Sequence, residues 1–311
     1  MSGPISPEDS ATYIDEKRES VSRRSFELYP SRDTVVGNTH VRRALPKRQR
    51  RTIGAWCFAD HFGPERLNGK PGMEVGPHPH IGLQTVTWLI EGEIVHRDSL
   101  GSEQPIHPGQ LNLMTAGRGV SHSEESSGRK LPSIHGIQLW VAQPDTTRND
   151  EPAFEHHDAI PEATFDNASA KVFMGSFGGA TSSARTDTPI VGMEATLGIG
   201  ASIFALRKDF EYGLIVLGGK VAFNSQMITP GNLAYFGTSR DELSLTAHEP
   251  SIFLLLGGEP FPYEPLMWWN FVARSREEIT QAYSDWQSHA ERFGQLTSVL
   301  DRIEAPKPQW L

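Results

Sequence analysis

Apolar residues in this chain fall at strand spacing more often than at helical spacing, in short stretches punctuated by turn formers. Leu83 to Ile90 and Ile94 to Leu100 read as two strands joined by a turn at Glu91-Gly92-Glu93. Pro108-Gly109 then turns the chain into the apolar Leu111, Leu113 and Met114, and a Gly117–Gly119 corner follows. The pattern predicts an antiparallel meander over residues 76 to 124 whose two ends return side by side. Asp33 to Leu45 and Ile134 to Val141, the latter with Trp140 buried, are further strand candidates. A helical period is confined to the tail. There, Ser275 and Glu278 form a capping box, and Ile279, Ala282, Tyr283, Trp286, Ala290 and Phe293 follow on one stripe up to a Gly294 C-cap. That stripe is expected to cover the outside of a sheet. Residues 1–30 are polar and read as a flexible arm, and residues 143–170 as a connection with little regular structure, with His156 and His157 at its surface.

The strand pattern recurs. Val216-Leu217-Gly218-Gly219-Lys220-Val221 matches Leu89-Ile90-Glu91-Gly92-Glu93-Ile94, and Pro230-Gly231-Asn232-Leu233 matches Pro108-Gly109-Gln110-Leu111. Two copies of one supersecondary unit follow, which divides the chain into an arm (1–30), a first barrel (31–150) and a second barrel with the helix (151–311).

The first copy carries candidate chemistry. His78 and His80 open it and His122 and Glu124 close it, each pair spaced by two, so the members of a pair share one face of a strand. If the ends of the meander meet, three imidazoles and a carboxylate converge. Such a set suits a divalent transition metal, with positions left open on an octahedral ion. The same offsets in the second copy fall on Ala205, Arg207, Ser244 and Thr246, none of them a comparable ligand set, so that copy is expected to be structural.

Charge and composition narrow the partners. The formal net charge of -9 disfavours nonspecific nucleic-acid binding, and the short basic run Lys47 to Arg51 reads as a solvated loop. The single cysteine, Cys57, excludes an intramolecular disulfide framework and reads as a buried, inert thiol. The chain opens on polar and charged residues without a signal-peptide pattern, and Ile252 to Leu256, its longest apolar run, is too short to cross a bilayer. A soluble cytoplasmic protein is expected, with no membrane partner.

Two strand repeats with Pro-Gly turns, one carrying H-x-H and a later His, resemble a double-barrel cupin. More narrowly, HPHIGLQTVTWLIEG, HRDSLG, PGQLNLMTAGRGVSHSE and MWWNFVARSREEI resemble the pirin family, over residues 33 to 293. The resemblance implies an all-β bicupin: two tandem jelly-roll-like antiparallel barrels with a C-terminal helix. It also implies a mononuclear Fe(2+) site, or another divalent transition metal, held by His78, His80, His122 and Glu124. Many cupins place a ligand Glu shortly after the second His; here Gln84 stands there, and is expected to hydrogen-bond beside the site, with His96 and Asp98 as further neighbours of the ligands. Val86, Trp88 and Ile90 are expected to form an apolar wall on the histidines' face.

Some members of the family resemble quercetin 2,3-dioxygenases, which open a flavonol ring with O2 and release carbon monoxide. On that resemblance the substrate is a flavonol-like aromatic, O2 is the co-substrate, and Glu124 is both ligand and catalytic base. The alternative is a metal-dependent redox-sensing regulator that binds a protein partner without turnover. An aromatic-lined cavity open at the metal favours the enzyme, and a closed site beside a flat charged patch favours the regulator.

Overall fold

The structure is a computed structural model that describes residues 26–311. The expected arm at residues 1–30 lies outside these residues except for its last five. Of those, Glu27–Pro30 is a strand paired with Asn232–Gly237 of the second unit.

Strands dominate, and they build two cupin domains. The first has a seven-stranded sheet in the order Ala153–His157, Leu111–Thr115, Leu83–Glu91, Ser133–Ala142, Trp56–Arg66, Thr39–Leu45, Arg32–Val36. Opposite it stands a four-stranded sheet in the order Val75–His80, Val120–Glu125, Ile94–Asp98, Glu103–Ile106. The second domain repeats this design, with seven strands in one sheet and Gly200–Ala205, Glu242–Ala247, Val221–Phe223 and Gln226–Ile228 in the other. The two large sheets pack back to back. Trp56, Val86, Trp88, Leu113 and Leu139 of the first meet Phe173, Ile215, Leu233 and Leu254 of the second in one apolar cluster. Its indole N–H groups find acceptors across the boundary: Trp56 Nε1 donates to the Val191 carbonyl (3.1 Å), and Trp88 Nε1 to Glu194 (2.6 Å).

Several sequence expectations change here. The 76–124 stretch is not a meander. Leu83–Glu91 and Ile94–Asp98 lie in different sheets, so the chain crosses from one to the other at the Gly92 turn. Periodicity reports strands but not their partners, which is why a sheet crossing reads as a hairpin. The ends of the stretch do lie side by side, because Val75–His80 pairs antiparallel with Val120–Glu125. Residues 143–170 hold three strand segments rather than a bare connection. Ala153–His157 returns to the first sheet, so His156 and His157 are half-buried, and His156 Nδ1 sits 2.7 Å from Asn112 Oδ1. With the strands Glu27–Pro30 and Ala153–His157 exchanged between units, the division at residue 150 stands as a proposal about sequence copies.

The helix spans Arg276–Gln287, with the Glu278 amide donating to the Ser275 hydroxyl (3.3 Å) as capping requires. It ends at Ser288; Gly294 instead closes a short 3-10 turn at Glu291–Phe293. Its buried Ile279, Ala282 and Trp286 cluster with Ile81, Phe271, Ala273 and Phe293, beside the end of the strand that carries the histidines, rather than on a broad sheet face.

The second barrel's interior also differs from the offsets counted in sequence. Ala205 and Ser244 are exposed and Ile203, not Ala205, pairs with Ser244; Phe204, Leu243 and Leu245 point inward. Turns of unequal length between the copies shift the register, and a one-residue shift flips every side chain to the other face. Phe204 and Phe253 meet edge to face at 5.9 Å inside this barrel.

Candidate metal centre and its cavity

His78 and His122 are direct cross-strand partners and His80 pairs with Val120, so three imidazoles meet on the inner face of the small sheet. Each offers a nitrogen within 4.8 Å of the others', and all three side chains are buried. His80 Nε2 and His122 Nε2 are 3.0 Å apart. A register shift between His122 and Glu124 places Glu124 opposite Val75. Its carboxyl lies outside the set of converging nitrogens but lines the same cavity, and Thr87 Oγ1 donates to Oε1 (3.2 Å).

The other ring nitrogens are occupied. His78 Nδ1 is 2.8 Å from the Gly76 carbonyl and His80 Nδ1 is 3.0 Å from the Asn270 carbonyl. Carbonyls only accept, so both Nδ1 atoms carry the proton and both Nε2 lone pairs face the cluster. His122 Nδ1 lies 3.3 Å from His96 Nδ1, and His96 Nε2 lies 3.0 Å from Asp98 Oδ2. The proton order Asp98···H–Nε2 of His96, then Nδ1 of His96···H–Nδ1 of His122, again frees Nε2. His96 is fixed further by stacking on Phe154 at 4.5 Å.

Electrostatics agree with that arrangement. Burial pushes His78 down to about 4 and holds His80 and His122 well below the usual imidazole range, so all three are neutral near pH 7. Burial pushes Asp98 up, but hydrogen bonds from His96 and Ser102 outweigh it and leave the carboxyl below its ordinary value. Burial raises Glu124 to about 7, with the Thr87 hydrogen bond pulling the other way. Three neutral imidazoles with lone pairs aimed at one point and back-side protons satisfied are the donor set a divalent transition ion takes. The residues present fit a metal.

The cavity in front of the histidines has a volume of about 360 Å³, within the range of small-molecule sites. Phe58 and Trp140 stack along its wall with ring centroids 4.0 Å apart. Arg43 and Asp60 form a bidentate pair on its floor, at 2.7 and 2.6 Å. Trp269, Asn270 and Ile303 from the C-terminal stretch close one side.

Not every residue singled out from the sequence is here. Val86 and Trp88 face the interdomain core, with Ile90 packed beside them; Thr85, Thr87 and Leu89 have the inward phase of that strand. Parity could not be carried from His80 to Val86 because Ile81-Gly82 leaves the small sheet. Gly82 adopts φ 66° so close to the Val272 carbonyl that a Cβ would sit 2.2 Å from its oxygen. Gln84 shares the parity of Val86 and Trp88 and donates to Thr115 Oγ1 (3.0 Å) rather than to a histidine. Cys57 is buried, and burial pushes its thiol up to about 12, as an inert thiol requires. The stretch from Trp268 to Phe271 enters the sequence analysis only as part of the resemblance and with no role at the site; Trp269 and Asn270, between the short strands Leu266–Trp268 and Phe271–Ala273, are its residues at the cavity.

A two-domain cupin with a three-histidine cavity in its first barrel is the class that fold and site define. The sequence profile of the Pirin family matches residues 38–141, and that of the Pirin C-terminal cupin domain matches residues 193–294. The chain is 43% identical over 281 residues to the protein named "Putative quercetin 2,3-dioxygenase" of Pseudomonas aeruginosa, covering 89% of this chain and 88% of that one. It is 29% identical over 284 residues to Homo sapiens Pirin, covering 88% and 95%. Among solved structures, the crystal structure of quercetin 2,3-dioxygenase from Acinetobacter baumannii superposes with a TM-score of 0.89 at 40% identity, over 94% of this chain and 98% of that one. The chain belongs to the pirin family.

Proposed function

We propose that this protein is a pirin-type quercetin 2,3-dioxygenase, which cleaves a flavonol with O2 at an Fe(2+) ion held by His78, His80, His122 and Glu124. The observation that carries the reading is the convergence of three neutral, back-bonded imidazoles on a cavity walled by Phe58 and Trp140. Similarity to relatives and a solved structure that bear the quercetin dioxygenase name supports the substrate class. A metal bound there would supply Lewis acidity and electron transfer to O2.

The protein's own groups do the rest. The stacked pair offers a flat apolar face to a fused aromatic ring system. Thr87 occupies Oε1 of Glu124, which leaves Oε2 to accept the proton of the flavonol hydroxyl while the electron pair stays on the substrate oxygen. Burial raises that carboxyl above the ordinary carboxylate range, with the Thr87 hydrogen bond pulling the other way. Turning away from Thr87 would let the same carboxylate serve as the fourth ligand. The regulator reading predicted a closed site beside a flat patch, and an aromatic cavity in contact with the histidines favours the enzyme. Glu124→Gln keeps size but cannot take a proton. Metal retained with turnover reduced at least ~100-fold is expected; undiminished turnover would remove Glu124 from the mechanism.

A further inference from the structure

One ladder row makes a polar track across the cavity floor. Arg43 faces Asp60, Asp60 faces Gln138 and Gln138 faces Thr87, each a direct cross-strand partner on the next strand. Neighbouring strands are about 4.8 Å apart, so the row covers roughly 14 Å from Thr87 to Arg43. Thr87 ends it at Glu124, through the hydrogen bond already described. The Arg43–Asp60 pair ends it at the other side.

Gln138 stands between these ends and is the anomaly. Its Oε1 is buried and has no hydrogen-bond partner among the described residues. An unpaired buried acceptor is costly, and a bound group that donates to it recovers that cost. Two residues along, Phe58 and Trp140 are also cross-strand partners, and their stacked rings form a strip parallel to the polar row. The strip is continuous at both ends: the Arg43 guanidinium lies 4.6 Å over Phe58, and the His80 ring meets Trp140 edge to face at 5.1 Å. A planar ligand laid on the strip has one edge along the polar row.

We propose that Gln138 sets substrate preference by accepting a hydrogen bond from a neutral hydroxyl on the pendant ring of a planar aromatic substrate laid on the strip. Arg43 is already matched by Asp60, so this end of the cavity offers no spare charge to a carboxylate or phosphate and selects a hydroxyl. The inference rests on the flavonol reading and adds an orientation to it: the hydroxylated pendant ring lies along the polar row at Gln138, between Thr87 and Asp60.

The test is calorimetric binding of two flavonols to iron-loaded protein without oxygen, one being quercetin and the other lacking the hydroxyls of the pendant ring. Quercetin is expected to bind the wild type about tenfold more tightly, the scale of one well-placed hydrogen bond to a buried acceptor. Gln138→Met keeps the volume and removes the acceptor, and should bring the ratio close to one with metal content unchanged. Equal affinities in the wild type, no binding of either flavonol, or an unchanged ratio in Gln138→Met would overturn the assignment. Should Gln138→Met fail to fold, Gln138→Asn decides, because it withdraws the amide by one carbon. A ratio reduced at least about threefold supports the proposal and an unchanged ratio refutes it. Binding is read without turnover, so a protein that shows the preference but consumes no flavonol would refute the dioxygenase reading and leave the role of Gln138 standing.

Discussion

His80 takes its orientation from residue Asn270, whose carbonyl oxygen lies 3.0 Å from its Nδ1 and 190 residues further along the chain. The contact is one of a set. Val272 N donates to the Ile81 carbonyl (3.1 Å) and Ile303 N to the Pro77 carbonyl (2.9 Å), so the C-terminal stretch is bonded on both sides of His78 and His80. The segment after the second barrel therefore completes the centre of the first.

Phe271 anchors that segment. It is fully buried, bridges to Ile81 and stacks near Phe293, with centroids 6.1 Å apart. Phe271→Ala should cost about 3–5 kcal/mol of stability through the cavity it leaves. Metal affinity should fall in the same variant, because the Asn270 carbonyl loses its support. Denaturant titration together with a chelator competition checks both; lost stability with unchanged affinity would show that the segment only braces the fold.

His96 orients His122 from behind. Replacing it by Phe keeps the stack on Phe154 but removes the acceptor for His122 Nδ1–H. A drop of ~10–100-fold in metal affinity is expected, together with a loss of about 1–3 kcal/mol in stability of the metal-free protein, because the buried Asp98 carboxylate and the His122 Nδ1–H lose their partner. Affinity equal to wild type would mean that His122 needs no fixed proton on Nδ1.

Away from the cavity, His61 and His135 face each other with Nε2 atoms 2.9 Å apart, and Arg42 lies 3.5 Å from His61 Nε2. Burial, then Arg42 and His135, hold His61 down at about 2. An unfolded chain protonates this histidine below about pH 6.5. The unfolded state thus binds more protons below that pH, so stability rises with pH through the window and is lost as pH falls. From this group alone, stability at pH 5 should be about 2 kcal/mol below that at neutral pH. His61→Gln should flatten the slope measured by urea titration between pH 7.5 and 5, and an unchanged slope would place its origin elsewhere.

The sequence made some of this visible and hid the rest for definite reasons. Spacing by two and the return of one strand to the other were enough to predict that His78, His80 and His122 come together, because strand parity is a local property. The pocket wall was misassigned to Val86 and Trp88 because parity does not survive a turn between sheets. The roles of Asn270 and Gln138 were invisible for another reason. One acts through a backbone carbonyl, which has no sequence signature, and the other through a cross-strand row that exists only once register is known. The exposed positions Ala205 and Ser244 in the second barrel show the same limit, since counting offsets between copies assumes equal turns.

The central claim is that the histidine-lined cavity is the active centre of a flavonol dioxygenase. Its most direct test is aerobic incubation of iron-loaded protein with quercetin, with flavonol consumption and carbon monoxide release quantified together. Release of about one carbon monoxide per flavonol consumed, abolished in His80→Ala, is the predicted result for metal-dependent ring cleavage. Flavonol left intact by protein with a full complement of iron, or consumed without carbon monoxide, would contradict it.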